Sequence, residues 1–170
     1  FGLSNESAWG TANWLKLSEE HKLPRVATIQ NEYSLLCRLY DTDLAELSVN
    51  EGVGLMAFSP LAAGLLTGKY LDGNLPENSR KLINQDLGGR DNPRSEMAVR
   101  SYLKIAKEFG LNPIHLALAW GRTRPFMCSS IFGATSVDQL PVILEAGNIE
   151  LSQDCIDLIN ETHKLNPMPY

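Results

Sequence analysis

Short apolar runs set between amphipathic stretches constrain this chain more than any other feature. Val26–Gln30 ("VATIQ"), Val53–Ser59 ("VGLMAFS") and Cys128–Gly133 ("CSSIFG") are short β-branched or apolar runs. Such runs read as buried parallel strands, and Phe1–Ser4 reads as the tail of a fourth. The first two begin 27 residues apart, Val26 to Val53. That is the cadence of repeated βα units, which close either into a doubly wound sheet or into a barrel.

The intervening patterns are helical. Glu6–His21 carries Trp9, Ala12 and Leu15, and Asp41–Asn50 carries Leu44 and Leu47 before Gly52. Ser95 is expected to cap a helix with Val99, Leu103, Ala106 and Phe109 on one face, stopped at Gly110. Asn112 caps the next, with Pro113 in its first turn. Ser136-Val-Asp-Gln139 has the pattern of a capping box, and Ser152 with Asp154 opens a last helix running to about Lys164. Leu71–Arg94 holds Gly, Pro, Asn and Arg without a helical face. It is expected to be a long loop over one end of the sheet, a common form of functional lid.

The totals exclude several classes. A net charge of −5 argues against a nucleic-acid surface. No apolar stretch approaches the roughly 18–20 residues of a membrane span, and the polar Phe1–Ser7 is no signal peptide. Cys37, Cys128 and Cys155 are odd in number and show no CxxC spacing. Reduced, cytoplasmic cysteines and no metal site are the expectation. The chain opens on Phe1 rather than Met, and an eight-unit barrel needs roughly 250 residues. A processed chain, an excised domain or a partial sequence, forming a single domain, is therefore expected, with three clear strands too few for a complete barrel.

Four motifs carry a resemblance: "GLSNES", "TIQNEYSLL", "FSPLAAGLLTGKY" and "FGATSVDQL". In this order they resemble the C-terminal half of the aldo-keto reductases, in the Tas-like branch, whose tail is similar to His163–Tyr170. The resemblance covers essentially the whole chain. It implies the C-terminal half of a (β/α)8 barrel, from about the end of strand 5 through strand 8 and the last helix. It also implies NADP(H) at the C-terminal face and hydride transfer to or from a small carbonyl or alcohol substrate. The N-terminal half of the same barrel is the expected partner.

By that resemblance Ser4, Asn5 and Gln30 bind the nicotinamide carboxamide, since an amide side chain offers both donor and acceptor. Read alone, Asn5 is a helix cap and Gln30 a polar strand terminus. Phe58 matches the aromatic that stacks on the nicotinamide, a position usually held by tyrosine or tryptophan. Ser59, Pro60 and Leu61 match the pyrophosphate turn, and Lys69 and Arg80 the cations beside it. Alone, "GLLTGK" is a turn with a solvated lysine, and Tyr70 breaks the Walker spacing. Gly133, Thr135 and Gln139 match contacts to the adenosine side. A following glutamate and asparagine of many relatives fall on Val142 and Ile143, and Pro141 is expected to bend that helix.

The family's catalytic tyrosine, lysine, aspartate and histidine lie upstream of Phe1 by this alignment, so no catalytic residue is assigned here. The isolated chain is expected to be inactive. The alternatives are a non-catalytic NADP(H)-binding auxiliary half-barrel or an inactive fragment. His21, His115 and His163 match no family histidine and read as structural or solvent-facing. Tyr33 follows a strand end and is placed to line a substrate pocket.

Overall fold

The computed structural model describes residues 1–170. Four parallel strands form one sheet: β1 (Gly2–Ser4), β2 (Thr28–Glu32), β3 (Gly54–Phe58) and β4 (Met127–Ile131). They lie side by side in chain order. That order decides between the two architectures open to a βα cadence. A doubly wound sheet reverses at a switch point, whereas here each strand is laid beyond the last, as in a (β/α)8 barrel. The sheet is part of such a barrel.

Seven helices alternate with these strands: α1 (Ala8–Glu20), α2 (Asp43–Glu51), α3 (Arg80–Ile83), α4 (Pro93–Glu108), α5 (Pro113–Arg122), α6 (Gln139–Glu145) and α7 (Gln153–Leu165). Ile29, Leu55 and Ala57 are fully buried in the main core. Their neighbours on the opposite face, Gln30, Met56 and Phe58, are half-buried. The outer face of the sheet is thus sealed by helices, and the interior face presents the polar residues.

The helix starts follow local hydrogen-bond chemistry. The Ser7 hydroxyl accepts from the Gly10 N–H, Asn112 from Ile114 and Ser152 from Cys155. The cap of α4 lies three residues before the expected Ser95, because Asn92 accepts from the N–H groups of both Arg94 and Ser95 and Pro93 occupies the first helical position. An asparagine cap followed by proline outweighs a serine further on. The capping box at Ser136 does not form. Gln139 is the first residue of α6, and its side chain turns back to Thr135 instead. Pro141 is then the third residue of α6, where an N–H has no acceptor within the helix. Proline therefore costs α6 no internal hydrogen bond at this position. The 71–94 stretch is not all loop. It holds a single turn at Leu71–Gly73 and the four-residue α3, too short to show a period, and its last two residues open α4.

Tyr33 corrects another expectation. It lies buried, its ring stacked on Trp120 at 5.2 Å, and the cavity it lines with Ser34, Ala57 and Trp120 is only about 10 Å³. Its hydroxyl donates to Asp41 Oδ1 at 2.6 Å. Asp41 also accepts from Arg38 Nε at 2.6 Å and Arg124 Nη2 at 3.3 Å, and Arg38 continues to Asn160 of α7 at 3.1 Å. One carboxylate thus joins the segment after β2, the entry to β4 and the last helix. Burial, then the Asp41 charge, pushes the Tyr33 hydroxyl far up its scale, so it remains a donor. His163 is pushed the other way, first by burial and then by Arg38.

Two outcomes are expected of the natural gene product that contains this sequence. Gly52 caps α2 with φ +65°, and a Cβ there meets nothing within 4 Å. Gly52→Ala should cost about 1 kcal/mol of unfolding free energy, the left-handed penalty alone. Gly68 has φ +78°, and its Cβ would lie 2.8 Å from Leu103 Cδ1. Gly68→Ala should add about 1–3 kcal/mol of crowding to that penalty. Denaturant titration of the two variants separates the terms, and equal losses would refute the packing contribution. For His163, the folded pKa lies below the unfolded value near 6.5. The unfolded state then binds more protons, so stability should fall as pH drops through that unfolded value and level off below the folded one. His163→Gln should flatten this part of the stability–pH curve.

Candidate functional site

In-register pairing builds the site. Ser4 pairs with Gln30 and Gln30 with Met56, while Glu32 pairs with Phe58 and Phe58 with Ile131. Paired residues of parallel strands share a face, and this one is the interior, opposite Ile29, Leu55 and Ala57. Asn5 follows β1 in left-handed backbone, φ 51°. Its N–H donates to the Gln30 carbonyl at 2.9 Å, and its side-chain amide donates to Ser4 Oγ at 3.2 Å. Ser4, Asn5 and Gln30 are therefore brought together. Asn31 points to the other face, where it accepts from the Glu6 N–H and donates to the Glu6 carbonyl. That pair fixes the turn from β1 into α1.

Phe58 ends β3 half-buried, on the same face as Gln30. The chain then coils tightly, with left-handed backbone at Ser59, Ala62, Ala63, Gly64 and Gly68. Pro60 is buried, and Leu61 packs against both the main core and a smaller cluster of Leu118, Ile143 and Ala146. Gly64 is needed for more than its φ of +96°. A Cβ there would lie 3.1 Å from Lys69 Cε, so the bare glycine lets the lysine lie across the turn. The Lys69 ammonium sits 5.0 Å from the Tyr70 ring centroid, and the Tyr70 hydroxyl is buried without a partner.

The cations of this stretch divide sharply. Lys81 pairs with Asp91, Arg90 with Glu32, and Arg94 donates to the Pro167 and Met168 carbonyls. The side chains of Lys69 and Arg80 bond to no acceptor.

The residues after β4 form a separate, exposed part. Gly133, Thr135 and Gln139 are solvent-facing, and the Gln139 side-chain oxygen accepts from the Thr135 N–H at 3.0 Å. Of Val142 and Ile143, only Ile143 turns its side chain inward, Val142 being half-buried. Ile143 is buried with Leu118, and the Val142 carbonyl bonds to His115 Nε2 at 2.9 Å, which gives His115 a structural role. An apolar groove of about 440 Å³ opens between β4 and α6, among Met127, Phe132, Ile143 and Leu144.

One cluster escaped the sequence reading. Glu32 faces the interior two residues beyond Gln30. Arg90 grips it with two bonds of 2.8 and 2.7 Å, and the Tyr170 hydroxyl donates to it at 2.9 Å. Strand alternation would have put Glu32 on Gln30's face, but nothing in the sequence links it to positions 90 and 170. Burial, then Cys37 and Glu32, raises the Tyr170 hydroxyl well above its ordinary range. Burial, then Glu32, likewise raises the Cys37 thiol. Neither is an activated nucleophile.

No group of three or more His, Cys, Asp or Glu side chains is placed to hold a metal ion, and no helix is long and apolar enough to cross a membrane.

Comparison with known proteins gives the family. The sequence model of the aldo/keto reductase family matches residues 1–164. The chain is 42% identical over 168 residues to protein Tas of Escherichia coli K12, covering 99% of this chain and 49% of that protein. It is 32% identical over 176 residues to a putative voltage-gated potassium channel subunit beta of Schizosaccharomyces pombe, covering 94% and 51%. It is 35% identical over 153 residues to L-glyceraldehyde 3-phosphate reductase of Escherichia coli O157:H7, covering 86% and 44%. The chain spans about half the length of the curated relatives it matches. With four parallel strands in barrel order and these matches, the chain belongs to the aldo/keto reductase family, in its Tas-like branch.

Proposed function

We propose that this chain is the cofactor-holding part of an oxidoreductase that binds NADP(H) and reduces aldehydes or ketones, or oxidises alcohols. The observation that carries the reading is the assembly of Ser4, Asn5, Gln30 and Phe58 on one interior face. The amides of Asn5 and Gln30 supply the donors and acceptors that fix a carboxamide, and Phe58 offers a flat apolar ring for stacking. The Ser59–Leu61 turn lies at the end of β3, the place where barrels hold phosphate groups. Lys69 and Arg80, without acceptors of their own, supply the positive charge. Gly133, Thr135 and Gln139 take the adenosine side. When bound, the dinucleotide would supply the hydride for carbonyl reduction or accept it in alcohol oxidation.

None of these side chains is assigned the proton transfer. Tyr33, Tyr102 and Tyr170 are held protonated chiefly by burial and are already donating to Asp41, the Leu35 carbonyl and Glu32. A tyrosine acting as general acid needs the opposite, a neighbouring cation that favours its anion. Tyr70 has the Lys69 and Lys81 ammoniums 5.0 and 5.7 Å from its ring centroid, but its hydroxyl is buried. In this reading the donor is assigned, as the family resemblance implies, to residues outside positions 1–170.

A second reading draws on the relative named as a potassium channel subunit beta: an NADP(H)-binding auxiliary protein with no turnover. Titration of the natural gene product with NADPH, followed by an aldehyde panel, separates the two. Binding with NADPH oxidation is expected, and binding without oxidation for every substrate favours the auxiliary role. Lys69→Ala and Arg80→Ala should each weaken NADPH binding roughly tenfold, the loss of one charge-assisted contact. Absence of NADPH binding by the unaltered protein would overturn both.

A further inference from the structure

We propose that Glu32 is a clasp that fastens the 71–94 segment and the C-terminal segment to the end of β2, and so sets how readily that segment opens. Consequences for cofactor release rest on the reading above; the clasp itself does not.

The 71–94 segment has few other holds: Asp72 pairs with Arg100 of α4, but at an exposed site where an ion pair holds little. Residues 72–78 and 82–86 are exposed apart from Pro76, and the buried side chains of the stretch are Ser79 and Leu87. Lys81 pairs with Asp91 within the segment, which stiffens it without tethering it. Arg90 is the charged tether to the sheet. Its two bonds to Glu32 form a planar fork on a carboxylate, and both side chains are mostly shielded, 17% and 20% exposed. The same guanidinium donates to the Leu87 carbonyl at 2.8 Å. The bend carrying Leu87 is therefore held by the group that holds Glu32.

The C-terminal segment joins from the opposite side. The Tyr170 hydroxyl shares Glu32 Oε1 with Arg90 Nε, and the Arg90 guanidinium carbon lies 5.6 Å from the Tyr170 ring centroid. Arg94, four residues beyond Arg90, donates to the Pro167 and Met168 carbonyls at 3.3 Å each. Each partner of Glu32 thus touches the other. Pulling the 71–94 segment away leaves Tyr170 on an uncompensated carboxylate, and pulling Tyr170 away exposes the Arg90–Glu32 fork to water. A buried charge that loses one partner weakens the hold on the rest, so the two segments should open together. Glu32 stands on the face of Gln30 and Phe58, which puts the clasp beside the proposed nicotinamide site while Lys69 and Arg80 lie within or next to the segment it retains.

The test is tryptic cleavage after Arg80 and Lys81 in the cofactor-free natural gene product, with sites identified by mass spectrometry. Where opening is fast relative to cleavage, the rate reports the open population. Tyr170→Phe, which removes one hydroxyl, should raise cleavage roughly tenfold, and Glu32→Gln by roughly a hundredfold. Hydrogen exchange of 166–170 should accelerate in parallel in Arg90→Gln, a change made on the other segment. Unchanged cleavage in Tyr170→Phe, or faster cleavage in Arg90→Gln without faster exchange at 166–170, would overturn the clasp. The NADPH dissociation rate is read in the same variants. Faster release at unchanged association extends the clasp to the cofactor. Absence of NADPH binding even in the unaltered protein refutes the cofactor reading while leaving the cleavage result to decide the clasp.

Discussion

The pairing of Ser4 with Gln30 and of Glu32 with Phe58 is the constraint on which the candidate site depends. A strand's side chains alternate, so a slip of one residue would send Gln30 into the helices and Ile29 to the interior. What forbids the slip lies on the other face. Ile29, Leu55 and Ala57 are fully enclosed, and burying one such aliphatic side chain is worth about 1.5–3 kcal/mol against leaving it exposed. The apolar outer face therefore fixes the polar inner one. Asn5 then needs only a left-handed residue at the end of β1 to bring its amide beside Ser4, and its N–H on the Gln30 carbonyl closes the turn.

Two carboxylates repeat one arrangement on opposite faces of β2. Asp41 gathers Arg38, Arg124 and the Tyr33 hydroxyl; Glu32 gathers Arg90 and the Tyr170 hydroxyl. Each is a shielded acid whose desolvation is offset by guanidinium and tyrosine partners, near in sequence for Asp41 apart from Arg124 and distant for Glu32. Such pairs add little net stability over apolar packing, yet losing one partner costs about 3–5 kcal/mol. Their value is geometric. Asp41 locks the segment after β2 to α7 through Arg38 and Asn160, and Glu32 locks the two segments that cross the open end of the sheet. The two are similarly shielded, Asp41 16% and Glu32 20% exposed; they differ in that the first joins packed elements and the second retains a largely exposed segment.

How far this was legible in the sequence depends on the range of the forces involved. Strands, most helices and the caps at Asn112 and Ser152 are local, and "VATIQ" and "VGLMAFS" announced β2 and β3 to within two residues. The cap of α1 falls on Ser7 and not on Asn5, the residue read as a cap from the sequence. The failures were also local, where two signals competed. Asn92-Pro93 outranked Ser95, and Gln139 spent its amide on Thr135 rather than on a capping box. The barrel order of the strands was not in the spacing at all; periodicity left two architectures open, and only the motifs chose. For the site, alternation placed Gln30 and Phe58, and the unpaired state of Lys69 and Arg80 could be seen only once Lys81, Arg90 and Arg94 had found partners. The Glu32 cluster spans 138 residues from Glu32 to Tyr170, beyond any pattern read along the chain.

The departure at Val142 and Ile143 gains its meaning from packing. With Ile143 in the cluster formed with Leu118 and Ala146, and the Val142 carbonyl held by His115, α6 is anchored by apolar contact and one backbone bond. A polar side chain at Ile143 would have to bury an amide against Leu118, at a cost of about 1–3 kcal/mol without a partner. The fold of this chain therefore uses the Ile143 side chain and the Val142 carbonyl for its own cohesion. What remains on that side, Thr135 and Gln139, bond to one another. They must exchange that bond for any they make to an adenosine group, so the net gain there is small. In the cofactor reading the affinity then comes mainly from the other end: the amides on β1 and β2, the ring at the end of β3, and two cations that the protein itself leaves without acceptors.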